Sequence, residues 1–406
     1  MKNIKKILSV EYNIAHDIIR PSIYKHFKEL GYDVEFLLAE SNTKKRWNFF
    51  TRINDEIKTT TVTYDEMDRI LTSNKIREFD FIIFNTSFSF MPDFKNINMP
   101  IIESIYKNTG KIPNPKYGFL TIPPHVSGYF KGDKRLLKNN KYNGMYVLNH
   151  VGYRNLPMLS ANWFGKVNIT SKSKENIFLA TGNIAPHQKN HKLLITAVDK
   201  LVKDGITNFK IVINGVGEKL EIPENLKKYF NFLGENKPDK LFEIIESCDF
   251  ITALLDSSVA WQKEQYGHGT CSCVLMYSLG FIKPLIIEDY FACNYGLDKK
   301  NSLIYKGQNL YFAMKRAILL SSNEYQEIQK ALKEYSDKCT IQTLKDLKKT
   351  LEISKVNSRF DKFNVFKSMF LKKIKKLFKQ ILNVKTINKD KDYKIIKILG
   401  FKIKIK

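Results

Sequence analysis

Short apolar runs alternate with amphipathic stretches along most of this chain, and this alternation is the feature that most restricts its fold. Residues 79–85, FDFIIFN, are almost continuously apolar, which is typical of a parallel strand buried on both faces. Residues 176–182, NIFLATG, form a similar run, and apolar residues recur at helical spacing in the stretch 190–205 that follows. Repeated strand–loop–helix units predict an α/β fold with parallel sheets covered on both faces by helices.

The chain has 406 residues, which is long enough for two domains and an appendage. Its first apolar run, KKILSVE, is too short for the core of a secretion signal and ends at Glu11, so it predicts a buried first strand. A helix is predicted to begin near Arg20, because Pro21 suits a first helical turn. No Pro- or Ser-rich linker is evident, and the best junction lies near residues 160–170. We therefore predict an N-terminal domain, a C-terminal domain and a tail, at residues 1–165, 166–345 and 346–406.

Positive charge is concentrated in the tail. The net charge of the chain is +26, and residues 357–406 hold sixteen Lys or Arg against three Asp, a net +13. Within residues 363–382, aromatic and aliphatic residues fall on one helical stripe with lysines around it. This amphipathic pattern suits a helix on an anionic membrane surface. We favour a membrane over nucleic acid as the partner, because the basic residues accompany an apolar face and not a folded platform of stacking aromatics.

The stretch EQYGHGTCSCVLMYSLG, residues 264–280, allows three kinds of chemistry. His268, Cys271 and Cys273 could hold a metal, a cysteine beside the histidine could be a nucleophile, or the glycines could open a helix start to a phosphate. Paired CxxC spacing and an obvious fourth ligand are missing, so we predict no metal site. A structural role for Thr270 as the residue that caps the next helix is compatible with phosphate binding.

Other predicted strands of the second segment also end in glycine, asparagine and small polar residues. TGNIAPHQKN and NGVG follow two of these strands, at residues 181–190 and 214–217. Because ligands of open parallel sheets bind at the carboxyl ends of the strands, this composition predicts a diphosphate site with Lys189 as a cation. Neither GxGxxG nor the P-loop pattern occurs, so dinucleotide binding and P-loop chemistry lack their usual motifs.

Taken in order with FNFLGE, LFEIIESCDFITALL and YGHGTCSCVLMYSLGFIKPLII, these motifs resemble the C-terminal, nucleotide-sugar-binding domain of GT-B glycosyltransferases. The most similar group is the group 1 (family four) set of bacterial surface-polysaccharide and lipopolysaccharide enzymes. The resemblance covers about residues 174–340. It implies two Rossmann-like domains facing across a cleft, a nucleotide-diphosphate sugar as the donor substrate, and no tightly bound cofactor.

The resemblance also implies which residues contact the donor. In the family, a Gly-Arg…Lys set grips the diphosphate; Gly182 and Lys189 match its Gly and Lys, and Asn183 stands at the Arg position. The family's Glu-x7-Glu motif is not cleanly present, since one alignment puts Gly269 and Tyr277 at its two places. The donor-binding residues that we predict are Gly182, Asn183, Lys189, Asn214, Gly215, Glu235, His268, Gly269, Thr270 and Ser272.

The first segment is then expected to bind the acceptor, a lipid-linked saccharide or a lipopolysaccharide or capsule intermediate. His125 ends the run TIPPH, where a general base would face the interdomain cleft, and His16 is a second candidate. The five cysteines are scattered and odd in number, which indicates a reducing compartment. We expect a cytoplasmic enzyme, peripheral on the inner face of the cytoplasmic membrane. The alternatives are a non-catalytic basic α/β protein that binds nucleic acid or membrane, and a polyol-phosphate transferase on a similar fold.

Overall fold

The computed structural model describes residues 4–12, 14–40, 46–85, 113, 115–122, 142–152, 155–185, 188–383, 394–398 and 401–405. The chain divides into two compact units, Met1–Thr350 and Leu351–Lys406. The first unit contains two parallel six-stranded sheets.

The first sheet has the strand order β3-β2-β1-β4-β5-β6. Its strands are β1 (Lys5–Glu11), β2 (Tyr32–Ala39), β3 (Lys58–Val62), β4 (Phe81–Phe84), β5 (Gly118–Thr121) and β6 (Tyr142–Met145). Among the described residues, two α-helices accompany it, α1 (Arg20–Glu29) and α2 (Tyr64–Thr72). Pro21 lies in the first turn of α1, and a reciprocal capping box of Thr63 and Glu66 begins α2. The predicted first strand and the predicted start of α1 are confirmed.

A short parallel pair, β7 (Val147–Leu148) and β8 (Met158–Leu159), precedes the second sheet. The second sheet has the order β11-β10-β9-β12-β13-β14. Its strands are β9 (Asn176–Thr181), β10 (Phe209–Asn214), β11 (Phe230–Gly234), β12 (Phe250–Thr252), β13 (Leu285–Glu288) and β14 (Ser302–Tyr305). Its helices are α3 (His191–Lys203), α4 (Pro238–Ser247), α5 (Ala260–Gly267), α6 (Cys273–Phe281), α7 (Asp289–Asn294) and α8 (Leu310–Leu319).

The last helix, α9 (Ser322–Ile381), is followed by an antiparallel sheet of β15 (Leu382–Asn383), β16 (Lys394–Ile398) and β17 (Phe401–Ile405). Within the described part of the chain, no helix combines the length and the apolarity that crossing a bilayer requires.

Segment 158–166 links the two large sheets and is hydrogen-bonded on both sides. The Trp163 amide donates to Ser22 Oγ on α1, at 3.0 Å. The Asn162 side chain donates to the Ser336 carbonyl on α9, at 2.9 Å. Segment 158–166 is therefore hydrogen-bonded both to α1, beside the first sheet, and to α9, which follows the second sheet. It lies within the region where the sequence suggested a junction. The predicted boundaries at 165/166 and 345/346 themselves stay a prediction.

Candidate functional site

The ends of β9, β10 and β11 meet closely at the carboxyl edge of the second sheet. The Gly182 amide donates to the Asn214 carbonyl at 3.0 Å, and the Gly215 amide donates to the Gly234 carbonyl at 2.8 Å. A β-carbon built on Gly215 would lie 1.8 Å from the carbonyl oxygen of Gly182. Only glycine fits at position 215, because any side chain would collide with backbone and not with a movable side chain.

Lys189 directs its ammonium group to the same edge. Its Nζ donates to the carbonyl oxygen of Ala253, directly after β12, at 2.7 Å. The residue is 6% exposed, and burial lowers the pKa of its ammonium to about 8. The neighbouring thiol of Cys273, the first residue of α6, partly counteracts this lowering of the pKa. Lys189 therefore lies between the end of β12 and the start of α6, and the bond to Ala253 uses one of its three N–H donors.

The loop between α5 and α6 has a defined path. Gly269 has a φ of +89°, in the left-handed region that favours glycine. The Tyr295 hydroxyl donates to the carbonyl of Thr270 at 3.3 Å and accepts from the amide of Ser272 at 3.4 Å. Tyr295, which no sequence motif indicated, therefore fixes the path of this loop by two hydrogen bonds.

The predicted role of Thr270 as the helix cap is wrong. The N-cap residue of α6 is Ser272, and the helix begins at Cys273. Because Tyr295 binds both the carbonyl of Thr270 and the amide of Ser272, the chain follows a non-helical path through these residues. The hydroxyl of Thr270 is buried and has no hydrogen-bond partner among the described residues.

His150 connects the first half of the chain to this loop. Its Nε2 lies 3.3 Å from the carbonyl oxygen of Gly267, and its ring contacts the edge of Tyr295, with centroids 6.1 Å apart. Burial lowers the pKa of His150, so the neutral ring is favoured and can donate to that carbonyl. Sequence reasoning missed His150 because 117 residues separate it from its partner and no motif connects them.

The loop after β12 is fixed by buried carboxylates. The side chain of Asp256 accepts from the backbone amide of Ser258 at 2.9 Å and from Asn190 at 2.6 Å. Both carboxylate oxygens of Glu288 accept from Ser257, at 2.7 and 2.6 Å. These two acids hold the loop and the start of α3, and their oxygens are already used within the protein.

The predicted donor residues fall into two groups. Gly182, Lys189, Asn214 and Gly215 lie together at the strand ends, and Asn214 is held by the side chain of Asn236 at 2.7 Å. Gly269, Thr270 and Ser272 are buried in the loop before α6. The first residue of that helix, Cys273, lies near the ammonium group of Lys189. The remaining three side chains are exposed: Asn183, Glu235 and His268.

His16 lies at the carboxyl end of the first sheet, in a 3-10 helix, Ile14–Ile19, directly after β1. The neighbouring Asp17 is fully buried and pairs with Arg20 at 3.3 Å and with Arg46. Burial raises the pKa of Asp17, and the two guanidinium groups oppose that rise. This ion cluster anchors the segment that carries His16. His125, the other predicted catalytic residue, lies outside the described residues.

The cysteines of the loop have the features of packed thiols. Cys271 and Cys273 are half-buried, and burial raises the pKa of both thiols, which opposes formation of a nucleophilic thiolate. Within the part of the chain that the structure describes, no three His, Cys, Asp or Glu side chains are grouped so that they could hold a metal ion.

By sequence, the chain matches no protein-family model and no curated protein. By structure, it is similar to HepE of Anabaena in complex with UDP, with a TM-score of 0.53 and 12% identity, over 86% of this chain and 99% of that one. It is similar to a glycosyltransferase from Rickettsia africae, with a TM-score of 0.52 and 16% identity, over 87% and 98% of the two chains. An alpha-glucosyltransferase in complex with UDP and a 13-mer DNA matches with a TM-score of 0.53 and 10% identity, over 80% and 94%.

These similarities confirm the predicted fold. The two parallel six-stranded sheets are the two Rossmann-like halves of a GT-B protein. At such low identity the likeness establishes the fold alone, since one fold can carry different reactions.

Proposed function

We propose that this chain is a glycosyltransferase that moves a sugar from a nucleotide-diphosphate sugar to a lipid-linked saccharide or a lipopolysaccharide or capsule acceptor. The observation that carries the proposal is the meeting of Lys189, the end of β9 and the start of α6 at one edge of the second sheet. Open parallel sheets bind ligands at this edge, and two structural neighbours were solved with UDP. We assign donor binding to residues 166–345 and acceptor binding to residues 1–165.

Three kinds of group at this edge match a diphosphate. Lys189 supplies a cation, and the first amides of α6 lack partners within their helix and carry the positive end of its dipole. Within the described part of the chain the buried hydroxyl of Thr270 has no hydrogen-bond partner, which costs about 1–3 kcal/mol unless a ligand supplies one. The oxygen atoms of a phosphate group would accept hydrogen bonds from the Lys189 ammonium, from the first amides of α6 and from the Thr270 hydroxyl. The exposed His268 can donate to the sugar or to a phosphate.

The nucleoside end of the donor must be held differently from the family pattern. An alignment that starts from Glu264 puts Ser272 at the second glutamate position of the family, and an alignment on KPLII puts Gly269 and Tyr277 at the two positions. The Tyr277 ring packs in the core, with its centroid 5.7 Å from that of Phe164. Asn183 stands where the family has a second cation. We keep the strand-end residues Asn214, Gly215 and Glu235 as donor-binding residues.

The chemistry requires removal of a proton from the acceptor hydroxyl. We propose His125 for this role and His16 as the alternative, because both follow strands of the first sheet. An acceptor hydroxyl at this edge would approach the sugar held by the second sheet.

The tail supports binding to an anionic membrane, and we propose a peripheral position on the inner face of the cytoplasmic membrane. The register of β16 and β17 pairs Ile396 with Ile403 and Lys397 with Lys402. In sequence, residues 401–405 alternate apolar residues with lysines. The sequence of the preceding helix carries the same combination of an apolar stripe and lysines.

Vesicle binding tests this location. The full chain should sediment with vesicles that contain about one third phosphatidylglycerol and should dissociate as salt rises to about 1 M. Replacing Lys372, Lys373, Lys375 and Lys376 with Gln should weaken binding at least tenfold, since each lysine near the surface contributes about 1 kcal/mol. The matched control replaces four exposed lysines of the first unit, Lys299, Lys300, Lys330 and Lys333. Equal weakening by both sets would mean that total charge, and not the tail, determines binding.

A panel of activated substrates tests the function itself. We expect at least one UDP-, GDP-, CDP- or dTDP-sugar to bind and to release a nucleoside diphosphate when acceptor lipids are present. CDP-glycerol or CDP-ribitol as the sole substrate, with release of a nucleoside monophosphate, would identify a polyol-phosphate transferase. Absence of nucleotide binding by calorimetry would favour the non-catalytic alternative. The same assay on His125→Ala and His16→Ala decides between the two histidines.

A further inference from the structure

Helix α5 is a feature that neither the strand–helix pattern nor the proposed chemistry accounts for. The stretch after β12 contains eight helical residues, Ala260–Gly267, without an apolar period in the sequence. These residues lead directly into the loop that holds Gly269 and Thr270. Whatever α5 presents to solvent is therefore presented beside the proposed donor site.

One side of α5 is pinned to the protein by polar contacts. Gln262 is fully buried, and its Oε1 accepts from the amide of Asp256 at 2.8 Å. Gln265 is 6% exposed. At the end of the helix, a β-carbon on Gly267 would lie 2.6 Å from the hydroxyl of Tyr290, so the helix end packs closely on α7. These contacts make α5 a rigid element.

The helix also carries an exposed ridge. Trp261 is 38% exposed, and Glu264, three residues later on the same face, is exposed as well. The exposed His268 follows the last helical residue. The indole of Trp261 contacts the ring of Tyr266 edge to face, with centroids 5.9 Å apart, which fixes its orientation. In this ridge an aromatic side chain and a carboxylate are neighbours on the helix surface, and an imidazole follows the helix end.

The chemistry of the ridge matches a saccharide. The C–H face of a pyranose ring is apolar and packs on an aromatic face, and its hydroxyls need acceptors and donors at the rim. The helix rises about 9 Å from Trp261 to Gly267, enough for more than one sugar ring. The ridge ends at His268, beside the loop with the unpartnered Thr270 hydroxyl.

We infer that Trp261 and Glu264 form a binding platform for the saccharide of the acceptor, with Trp261 as the stacking surface and Glu264 as a hydroxyl acceptor. This inference rests on the proposed function, because it assigns an acceptor subsite to the same site. With this platform, the second half of the chain binds part of the acceptor as well as the donor.

The test compares saccharide and UDP binding in the full chain. The probes are an array of neutral hexoses, N-acetylhexosamines and heptoses, which avoids charge attraction to the basic tail, and UDP in calorimetry. Trp261→Ala should lower saccharide binding about tenfold or more and leave UDP affinity within about twofold. Trp261→Phe should retain part of the binding. Phe312→Ala is the matched control, because Phe312 is a more exposed aromatic, at 64%, on α8.

Three outcomes would overturn the platform: full saccharide binding by Trp261→Ala, equal losses in Trp261→Ala and Phe312→Ala, or no neutral saccharide bound by the wild-type protein. Retained UDP affinity in Trp261→Ala shows that the variant is folded. Failure of the wild-type protein to bind any of UDP, GDP, CDP and dTDP would instead contradict the proposed function, so the two failures are distinguishable.

Discussion

Replacing Gly215 with alanine is expected to lower the free energy of unfolding by about 3 kcal/mol or more, at or above the upper part of the range for overpacked sites. The new β-carbon would lie 1.8 Å from the carbonyl oxygen of Gly182. That oxygen belongs to the backbone, so it cannot be relieved by a rotamer change. The end of β10 would have to move away from the end of β9, and the bond from the Gly182 amide to the Asn214 carbonyl would be strained. Urea unfolding followed by circular dichroism measures the stability, and UDP calorimetry measures the loss of the site.

Gly205→Ala is the matched control for this prediction. A β-carbon there meets nothing within 4 Å, and only its φ of +75° opposes the substitution. The expected cost is about 1–2 kcal/mol, with donor binding unchanged. If Gly215→Ala were as stable as Gly205→Ala, the close approach of the two strand ends would not be a constraint on the sequence.

Replacing Lys189 with methionine is expected to weaken donor binding about 10- to 100-fold, because a charge-assisted hydrogen bond to the diphosphate contributes about 1.5–3 kcal/mol. Methionine preserves much of the volume of the lysine stem in its buried position, so the fold should persist. Calorimetry with UDP measures the affinity. Lys192→Met is the matched control, since Lys192 is exposed on α3, three residues further along the chain, and its loss should change the affinity less than twofold. Unchanged UDP affinity in Lys189→Met would remove this residue from the site.

The same lysine predicts a pH dependence. Burial lowers the pKa of Lys189 to about 8, so the ammonium form is complete well below this pH and is lost as pH rises through it. Only the ammonium form attracts the diphosphate. UDP affinity of the wild-type protein should therefore fall between about pH 7 and about pH 9.5, by at most about tenfold per pH unit. In Lys189→Met this decline should be absent. An equal decline in both proteins would assign it to another group.

The pattern of apolar runs and helical periods predicted the α/β class, the first strand, and the helix that begins at Arg20. These features are local, because the spacing of apolar residues decides which face of a strand or helix is buried. Lys189 was likewise predicted from its place after a strand, and its ammonium lies at the predicted edge of the sheet. The position of Lys189 directly after a strand was enough to predict its place at this edge, because the carboxyl ends of parallel strands meet at one edge of the sheet.

The details of the loop before α6 could not be predicted in this way. The cap was assigned to Thr270 because its residue type suits a cap, but the hydroxyl of Tyr295 holds the chain in a non-helical path until Ser272. Helix α5 was missed because the residues that it buries, Gln262 and Gln265, are polar and give no apolar period.

By itself, the sequence determined the alternation of strands and helices that defines the α/β class, the position of Lys189 and of several glycines after strands, and the concentration of positive charge in the tail, because each depends on residues near one another along the chain. Only the tertiary structure decided that His150 contacts Gly267, that burial of Lys189 against the Ala253 carbonyl lowers the pKa of its ammonium, and that Trp261 stays exposed beside the loop. These properties depend on burial and on the distances between segments that are far apart in sequence. The local pattern of residue types specifies neither of them.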